Sequence, residues 1–261
     1  MTKLMGILNV TPDSFYDKGK FFNIEAAINR GLQIFQEGAD IIDIGGESTR
    51  PGAEVVSISE ELDRVLPVIQ ALKEKITIPI SIDTCKPKVA EAAIHQGASL
   101  LNDVSGFRNP EMIEVAASYG VDICVMHMQG DPKTMQQNPT YDDGVVSGIL
   151  AWFEEKIKTL QHLGIKENKI ILDPGIGFGK TVAHNVEIIQ NLGRFKTLGF
   201  RLLYGVSRKS FMSRLLNKQA TELLPATLST NTLLIREGVD IIRVHDVKEH
   251  RDIIDLLTAF N

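Results

Sequence analysis

Eight apolar runs along the chain each end in a polar residue whose side chain could do chemistry. A run without polar alternation is typical of a strand buried on both faces, and an acid beside it is costly unless a partner satisfies it. The polar residues at the ends of these runs are, in chain order, Asn9, Asp43, Asp83, Asn102, His127, Asp173, Ser207 and His245. Stability alone rarely needs so many polar groups, so together they predict one site.

Two acids and one amide of this set suit a small, nitrogen-rich ligand. The carboxylates of Asp83 and Asp173 each offer two acceptors for adjacent N–H donors, and Asn102 offers one donor and one acceptor. Asp43 and Asp103, by contrast, are interpreted as structural residues that each cap a following turn. The sequence therefore predicts a heterocycle pocket formed by three of the strand ends.

A second group of residues, most of them basic, lies at the ends of the last two apolar runs. Its members are Ser207, Arg208, Lys209, Arg243 and His245. Arg243 and His245 are two residues apart, so both side chains face the same side of a strand, and an interior arginine needs an anion. In a protein of net charge −5, this local concentration of basic residues predicts a phosphorylated substrate.

The loops after the first two runs favour a functional role. The first loop has about fifteen residues, more than is usual between a strand and a helix. The loop at residues 45–52 is rich in glycine and carries Arg50. The planar guanidinium of Arg50 suits a carboxylate or a phosphate, and the alternative is a solvated arginine in a flexible loop.

The glycine-rich loop at residues 175–181 does not match a nucleotide-binding motif. A Walker loop would need glycine in place of Pro174, and a dinucleotide loop would need glycine in place of Lys180. Its glycines are interpreted as allowing close approach of the backbone to a flat ligand, with Phe178 available to stack. His127 is interpreted as a satisfied core histidine or as the floor of the pocket.

Stretches with helical periodicity alternate with the apolar runs. Helices are predicted at residues 25–37, 59–74, 87–95, 111–119, 145–163, 183–192, 227–237 and 247–260. The strand–helix unit recurs about every 34 residues. Eight such units predict an α/β fold, a (β/α)8 TIM barrel formed by a single domain over residues 1–261, with the site at the carboxyl ends of the strands. An open, doubly wound sheet is the alternative.

The composition is that of an ordinary globular protein, with 43% hydrophobic and 23% charged residues. The net charge gives no reason to expect nucleic acid or an anionic membrane surface as a partner. No apolar run reaches the roughly 18 residues of a transmembrane helix, and no signal peptide is recognisable, so a cytoplasmic location is expected. Cys85 and Cys124 share no metal-binding spacing and are interpreted as buried thiols in a reducing compartment.

Long motifs at these strand ends resemble those of the bacterial dihydropteroate synthases, a pterin-binding TIM-barrel family. The motifs occur in the family's order and are Asn9-Val-Thr-Pro-Asp-Ser-Phe15, Asp43-Ile-Gly-Gly-Glu-Ser-Thr-Arg-Pro-Gly52, Asp83-Thr84, Asn102-Asp-Val-Ser-Gly106, Met126-His-Met-Gln-Gly130, Asp173-Pro-Gly-Ile-Gly-Phe-Gly-Lys180, Ser207-Arg-Lys209 and Arg243-Val-His-Asp-Val247. Two departures are visible. Lys18 stands where glycine is common, and residues 229–231 are more polar than the alanine-rich helix usual in the family.

The resemblance implies a reaction of folate biosynthesis. In it, 6-hydroxymethyl-7,8-dihydropterin diphosphate and 4-aminobenzoate give 7,8-dihydropteroate and diphosphate, with C–O cleavage running ahead of attack by the amine. The resemblance also implies Mg²⁺ as cofactor, sulfonamides as inhibitors that compete with 4-aminobenzoate, and a homodimer.

The resemblance also implies a role for individual residues. The metal ligand is Asn9. The pterin ligands are Asp83, Asn102, Asp173 and Lys209. The diphosphate ligands are Thr49, Arg243 and His245. The residues that border the aminobenzoate are Arg50, Pro51, Phe178, Ser207 and Lys209. The residues assigned to the chemical step are Lys209, Asp13, Arg243 and His245.

Two other functions are left open at this point. A pterin-binding methyltransferase that passes a folate methyl group to a corrinoid shares the barrel and much of the pocket. It is not expected to combine Ser207-Arg-Lys209 with Ser48-Thr-Arg-Pro51. A catalytically inactive pterin-binding subunit would have to lack one of the motif residues, and none is missing.

Overall fold

The computed structural model of the chain describes residues 1–11, 19–48, 55–130 and 134–260. Eight parallel strands close into a barrel in chain order. They are β1 Lys3–Asn9, β2 Ile41–Gly45, β3 Ile80–Asp83, β4 Leu100–Asp103, β5 Asp122–Met126, β6 Ile170–Asp173, β7 Arg201–Tyr204 and β8 Ile241–Val244. The predicted (β/α)8 TIM barrel is confirmed, and the open, doubly wound alternative is excluded because β8 pairs with β1.

Helices surround the barrel in the described part of the chain. They are α1 Gly19–Gln36, α2 Ile58–Lys73, α3 Pro87–His95, α4 Pro110–Tyr119, α5 Val145–His162, α6 Val182–Gln190, α7 Leu192–Lys196, α8 Ser210–Leu216, α9 Leu224–Arg236 and α10 Val247–Ala259. The sequence did not predict α7 or α8, because five and seven residues are too few to establish a helical period. None of these helices has the length and apolarity needed to span a bilayer.

The two largest apolar cores hold the barrel together. The larger one lies between the strands and the helices. The smaller one fills the barrel interior with seven buried side chains, one from every strand except β3: Met5, Ile41, Leu100, Cys124, Ile171, Leu203 and Ile241. This interior plug, as we call these seven residues, closes the lower part of the barrel and leaves the carboxyl ends of the strands for polar groups.

The polar stretch at residues 229–231 is accommodated inside α9. Asn231 is fully buried, and its Nδ2 lies 2.8 Å from Nε2 of His250 on α10. Ser229 and Thr230 each donate a hydrogen bond to the carbonyl four residues earlier in the same helix. This departure from the usual family sequence therefore links α9 to α10 and lies outside the polar site.

Candidate functional site

Four polar side chains lie directly above the interior plug, one from each even-numbered strand. Each is two residues beyond a plug residue, and side chains two apart on a strand face the same way. The pairs are Ile41 and Asp43 on β2, Leu100 and Asn102 on β4, Ile171 and Asp173 on β6, and Ile241 and Arg243 on β8. A layer of four side chains from alternate strands is the usual way a TIM barrel is filled. We call these four polar residues the even layer.

Hydrogen bonds connect the even layer across the barrel. Arg243 donates from Nε to Asp43 Oδ2 at 2.6 Å and from Nη2 to Asp83 Oδ2 on β3 at 2.8 Å. Asn102 donates from Nδ2 to the same Asp43 oxygen at 3.0 Å. The expectation that Asp43 caps a turn is therefore wrong, whereas Asp103 does cap one, through its bonds to the following backbone N–H groups.

The carboxylate of Asp173 is held by its own loop. Its Oδ1 accepts a hydrogen bond from the N–H of Gly175 at 2.8 Å, and the side chain is buried. Burial raises the pKa of this carboxyl group, while the Gly175 N–H and the nearby cations of Lys209 and Lys180 oppose the rise. Asp173 is thus a buried acid whose charged form is stabilised by three neighbouring groups.

Burial also raises the pKa of Asp83, and the guanidinium of Arg243 opposes this rise. The carboxylates of Asp43 and Asp103 add to the rise, because like charges in a site of low polarity disfavour one another. Two acids of the pocket, Asp43 and Asp83, therefore share the guanidinium of Arg243. This arrangement makes Arg243 the electrostatic centre of the site.

The buried side chain of Lys180 connects the loop after β5 to the loop after β6. Its Nζ lies 3.1 Å from Nδ1 of His127 and donates to the carbonyl oxygens of His127 at 3.3 Å and of Phe178 at 2.8 Å. The ring of His127 packs edge-on against Trp152 at 5.1 Å. His127 is therefore a satisfied core histidine, as predicted, and Lys180 is a loop anchor that the sequence did not reveal.

Replacing Lys180 by methionine should destabilise the protein, because the two carbonyl oxygens then lose a buried donor. We expect the free energy of unfolding in urea to fall by about 1–3 kcal/mol. Burial lowers the pKa of Lys180 to about 7, against about 10.4 in an unfolded chain. Between about pH 7 and about pH 10, Lys180 is protonated in the unfolded chain but mostly neutral in the folded protein. The free energy of unfolding therefore rises with pH over this range because of this lysine.

Lys180→Met should lack that gain, and its deficit should therefore be larger at pH 9.5 than at pH 7. The matched control is Lys196→Met, which removes a lysine that donates to a backbone carbonyl, that of Glu237, on an exposed part of the surface. An equal deficit at both pH values, or an equal loss in the control, would contradict the role of Lys180 as an anchor.

Phe178 and Lys209 lie together at the mouth of the barrel. Nζ of Lys209 is 4.2 Å from the centroid of the Phe178 ring, a cation–π contact. The side chain of Lys209 also passes next to Gly177, where a Cβ atom would come within 3.3 Å of its Cδ. The absence of a side chain at Gly177 thus leaves room for Lys209. The aromatic ring of Phe178 and the ammonium group of Lys209 therefore lie next to each other at the mouth of the barrel.

Ser207 and His245 form a pair beyond the ends of β7 and β8. The Ser207 hydroxyl accepts a hydrogen bond from the backbone N–H of His245 at 3.2 Å and lies 2.9 Å from its Nδ1. Burial, with the Arg243 guanidinium nearby, lowers the pKa of His245 to about 4. At neutral pH the imidazole is therefore uncharged and can offer an N–H from Nε2 when the serine hydroxyl donates to Nδ1.

Arg208 does not contribute a cation to the basic cluster, contrary to expectation. Its Nε and Nη2 bind both carboxylate oxygens of Asp246 at 2.9 and 2.7 Å, and Nη1 reaches the carbonyl oxygens of Ala220 and Thr221. The backbone of Arg208 is left-handed, with φ of 53°. This conformation and these partners turn its side chain away from the barrel mouth, so Arg208 holds the β7 loop in shape.

Four predicted site residues lie outside the described part of the chain: Asp13, Thr49, Arg50 and Pro51. Both flanks of the second loop are nevertheless anchored. Glu47 accepts a hydrogen bond from the N–H of Val56 at 3.2 Å and forms a salt bridge with Lys86, which also binds the fully buried Glu61. Glu47 and Val56, the described residues that flank this loop, are therefore joined to each other and, through Lys86, to the segment after β3.

Asn9 closes β1 beside the even layer. A Cβ atom placed on Gly45 would lie 3.8 Å from Oδ1 of Asn9 and 3.8 Å from Oδ2 of Asp83. The two oxygens therefore lie on either side of the small space next to Gly45. Among the described residues, no group of three or more histidine, cysteine or acidic side chains could hold a metal ion. A cation at Asn9 would therefore need most of its ligands from elsewhere.

Comparisons with known proteins show the family to which the chain belongs. The chain matches the pterin binding enzyme family over residues 5–245. It is 45% identical to dihydropteroate synthase of Escherichia coli K12 over 246 residues, which cover 94% of this chain and 87% of that protein. Dihydropteroate synthase of Yersinia pestis, solved with a sulfonamide drug, superposes with a TM-score of 0.93 at 43% identity, covering 99% of this chain and 94% of the other.

A second similar structure contains a bound pterin compound. Dihydropteroate synthase of Xanthomonas albilineans in complex with 7,8-dihydropteroate superposes with a TM-score of 0.90 at 37% identity, covering 99% of this chain and 93% of the other. The match thus spans the whole barrel, including every strand that contributes to the even layer. On the fold, on the family match and on this similarity over nearly its full length, the chain belongs to the dihydropteroate synthases.

Proposed function

We propose that this chain condenses 6-hydroxymethyl-7,8-dihydropterin diphosphate with 4-aminobenzoate, giving 7,8-dihydropteroate and diphosphate in folate biosynthesis. The observation that carries the proposal is the even layer. It sets an amide, two carboxylates and a guanidinium over an apolar floor, with Phe178 and Lys209 at the rim. The similar proteins are dihydropteroate synthases, and one of them holds 7,8-dihydropteroate.

The pterin ring is assigned to Asp83, Asn102, Asp173 and Lys209. Each carboxylate uses one oxygen for a protein donor, which is Arg243 for Asp83 and the Gly175 N–H for Asp173. The second oxygen of each is the one we assign to N–H groups of the ligand. A buried acceptor matched to a buried donor selects strongly against ligands that lack the N–H.

The leaving diphosphate is assigned to Arg243 and His245, with Thr49 from the adjacent loop. As the C–O bond breaks, its electron pair stays on the diphosphate oxygen, and preformed donors stabilise that charge. The guanidinium contributes a full charge. His245 is neutral at pH 7, because burial lowers its pKa to about 4, and contributes an N–H.

The amine of 4-aminobenzoate attacks the pterin methylene carbon once the C–O bond has largely broken. The electron-rich dihydropterin ring stabilises the carbon that loses the diphosphate, and Asp13 is assigned to face this cation. The neutral arylamine needs no strong base, and its proton passes to water after the C–N bond forms. We place the aminobenzoate between Phe178, Lys209 and Ser207, with Arg50 and Pro51 on the loop side, where sulfonamides would compete with it.

Mg²⁺ is proposed as cofactor, with Asn9 as its protein ligand. Magnesium prefers oxygen ligands and is often held by one or two protein oxygens plus the phosphates of a substrate. The single amide oxygen at the end of β1 fits that pattern. When bound, the ion would neutralise charge on the diphosphate.

Two further proposals follow from the resemblance to the family. We propose a homodimer, supported by the exposed apolar side chains of Leu233 on α9 and Leu256 and Phe260 at α10, since these helices pack side by side. Sedimentation velocity tests this state directly. We also propose a cytoplasmic location, supported by the free thiols of Cys124, which is buried as predicted, and of Cys85, which is exposed, contrary to the prediction.

The function is tested by incubating the purified protein with both substrates and Mg²⁺ and measuring diphosphate release together with 7,8-dihydropteroate. Stoichiometric formation of both products is expected. Binding of the pterin with no product would favour an inactive pterin-binding subunit. Methyl transfer from a methylated folate to a corrinoid, without diphosphate release, would favour the methyltransferase alternative.

Asp173→Asn should weaken pterin binding by about 1–3 kcal/mol, because a donor replaces an acceptor that faces the ligand N–H groups. Isothermal titration with the pterin alcohol measures this loss without needing turnover. The matched control is Asp240→Asn, which alters a carboxylate that also accepts from one backbone N–H, that of Leu202, at the other end of the barrel. Unchanged pterin affinity in Asp173→Asn would remove this residue from the pterin site.

A further inference from the structure

Asp43 is the one member of the even layer that no role in the reaction has so far required. It is fully buried, and its Oδ2 accepts from both Arg243 at 2.6 Å and Asn102 at 3.0 Å. These two donors come from β8 and β4, so one oxygen on β2 connects the two sides of the barrel. The residues it holds are those assigned to the diphosphate and to the pterin.

The contact with Asn102 fixes the orientation of an amide. An ionised carboxylate can only accept hydrogen bonds, so the Asn102 NH₂ group must face Asp43 and the amide oxygen must face the other way. A primary amide that could rotate freely would present either group to a ligand. Asp43 therefore determines that Asn102 offers an acceptor to the pocket.

The contact with Arg243 fixes the orientation of the guanidinium group. The guanidinium carries donors in a rigid plane, and two of its nitrogens are bound, Nε by Asp43 and Nη2 by Asp83. With these two nitrogens held, the plane cannot rotate about the side-chain axis. The remaining N–H groups then point in a set direction before any anion arrives, which avoids reorganisation during the reaction.

We propose that Asp43 is a positioning residue of the proposed reaction, setting the hydrogen-bonding polarity of Asn102 for the pterin and the aim of Arg243 for the diphosphate. It touches neither substrate in this role. The inference rests on the proposed function, since it assigns a task to the partners of Asp43 in that reaction. It also explains why a carboxylate is kept in an interior where a charge without partners is costly.

Asp43→Asn tests the proposal, because it keeps the size of the side chain and removes its charge. The amide NH₂ can then face Asn102 or Arg243, and both partners lose their fixed orientation. We expect the KM for the pterin diphosphate to rise and kcat/KM for it to fall on the order of 10- to 100-fold, the size of one charge-assisted hydrogen bond. The KM for 4-aminobenzoate should stay within about twofold of wild type.

A purely structural role would not produce that split between substrates. The matched control is Asp40→Asn on the same chain segment, where Asp40 Oδ2 also accepts from one arginine, Arg251, at 2.6 Å and from one N–H, that of Leu4, at 2.7 Å. Asp40 lies at the opposite end of the barrel. It should reproduce any general loss of stability and leave both KM values unchanged.

The outcomes separate the two proposals. If the wild-type protein forms no 7,8-dihydropteroate, the proposed function fails. If wild type is active and Asp43→Asn retains its kcat/KM for the pterin diphosphate within twofold, the role of Asp43 is refuted. If Asp43→Asn does not fold, a crystal structure of the wild-type protein with pterin alcohol and inorganic diphosphate decides. Asp43 is expected to keep both bonds there, and loss of either one overturns the proposal.

Discussion

Arg243→Ala should lower kcat/KM for the pterin diphosphate on the order of 10²–10³-fold, the cost of removing one preformed donor from a developing oxyanion. The guanidinium supplies the half-buried cation that Asp43 and Asp83 share in the described structure. Its loss removes the proposed diphosphate contact and releases the two acids at the same time. We therefore expect the diphosphate form of the substrate to lose much more affinity than the free pterin alcohol.

The same substitution should reduce stability, because breaking a buried ion pair leaves uncompensated charge. The expected fall in the free energy of unfolding is about 3–5 kcal/mol. Without the arginine, burial raises the pKa of Asp83 further above its value of about 7 in the wild type, so the folded variant keeps a proton that the folded wild type and the unfolded chain have lost. The deficit should therefore grow as pH rises above about 7, where the stability of the variant continues to fall.

Two further variants serve as controls for Arg243→Ala. Arg243→Lys retains the charge and should fold, but its single nitrogen cannot reproduce the planar fork that binds Asp43 and Asp83, so its kcat/KM should fall between those of wild type and Arg243→Ala. Arg251→Ala removes an arginine that binds Asp40 and the Gly38 carbonyl at the other end of the barrel. Equal loss of affinity for the alcohol and the diphosphate would count against an anion role for Arg243.

The barrel itself could be predicted because its signals are local and repeated. Each apolar run is followed by a polar residue and then by a helix with a clear period, and these features need no knowledge of distant contacts. The predicted ends of β7 and β8 are wrong by one to three residues, since the strands stop at Tyr204 and Val244. Ser207 and His245 thus lie in loops, yet the backbone still brings them together.

The sequence could not reveal the partners of each charge. Arg208 and Arg243 look alike as basic residues after neighbouring strands, but Asp246 neutralises the first and the even layer surrounds the second. Asp43 was interpreted, like Asp103, as a residue that caps a following turn. The signal that could have separated it is its spacing of two from Ile41, which places it on the same inner face as the plug.

Lys180 was missed for a related reason. It was judged only as a residue that a dinucleotide loop would not have, and its burial depends on how the loops after β5 and β6 fold over it. Two of its three partners are backbone carbonyl groups, which every residue has, so the residue types in the sequence do not indicate these contacts. Contacts of this kind belong to the tertiary structure and become visible only when the loop conformation is known.

Gly175→Ala should be among the most damaging single substitutions in the protein. A Cβ atom on this residue would lie 1.9 Å from the carbonyl oxygen of His127, a backbone atom that cannot rotate away. The residue also has φ of +71°, in the left-handed region that favours glycine. The loop after β6 must therefore move, and the Gly175 N–H that holds Asp173 must move with it.

We expect two measurable results from this movement. The free energy of unfolding should fall by more than about 4 kcal/mol, a size reserved for severe steric conflict or strain, and the variant that still folds at low temperature should bind the pterin alcohol more weakly than wild type. The control is Gly120→Ala, whose φ of +61° is similar but where an added Cβ atom has nothing within 4 Å. This variant should lose only about 1–2 kcal/mol, the cost of left-handed backbone for an alanine. Equal losses in the two variants would show that the backbone conformation alone, and not the contact with His127, makes glycine necessary beside Asp173.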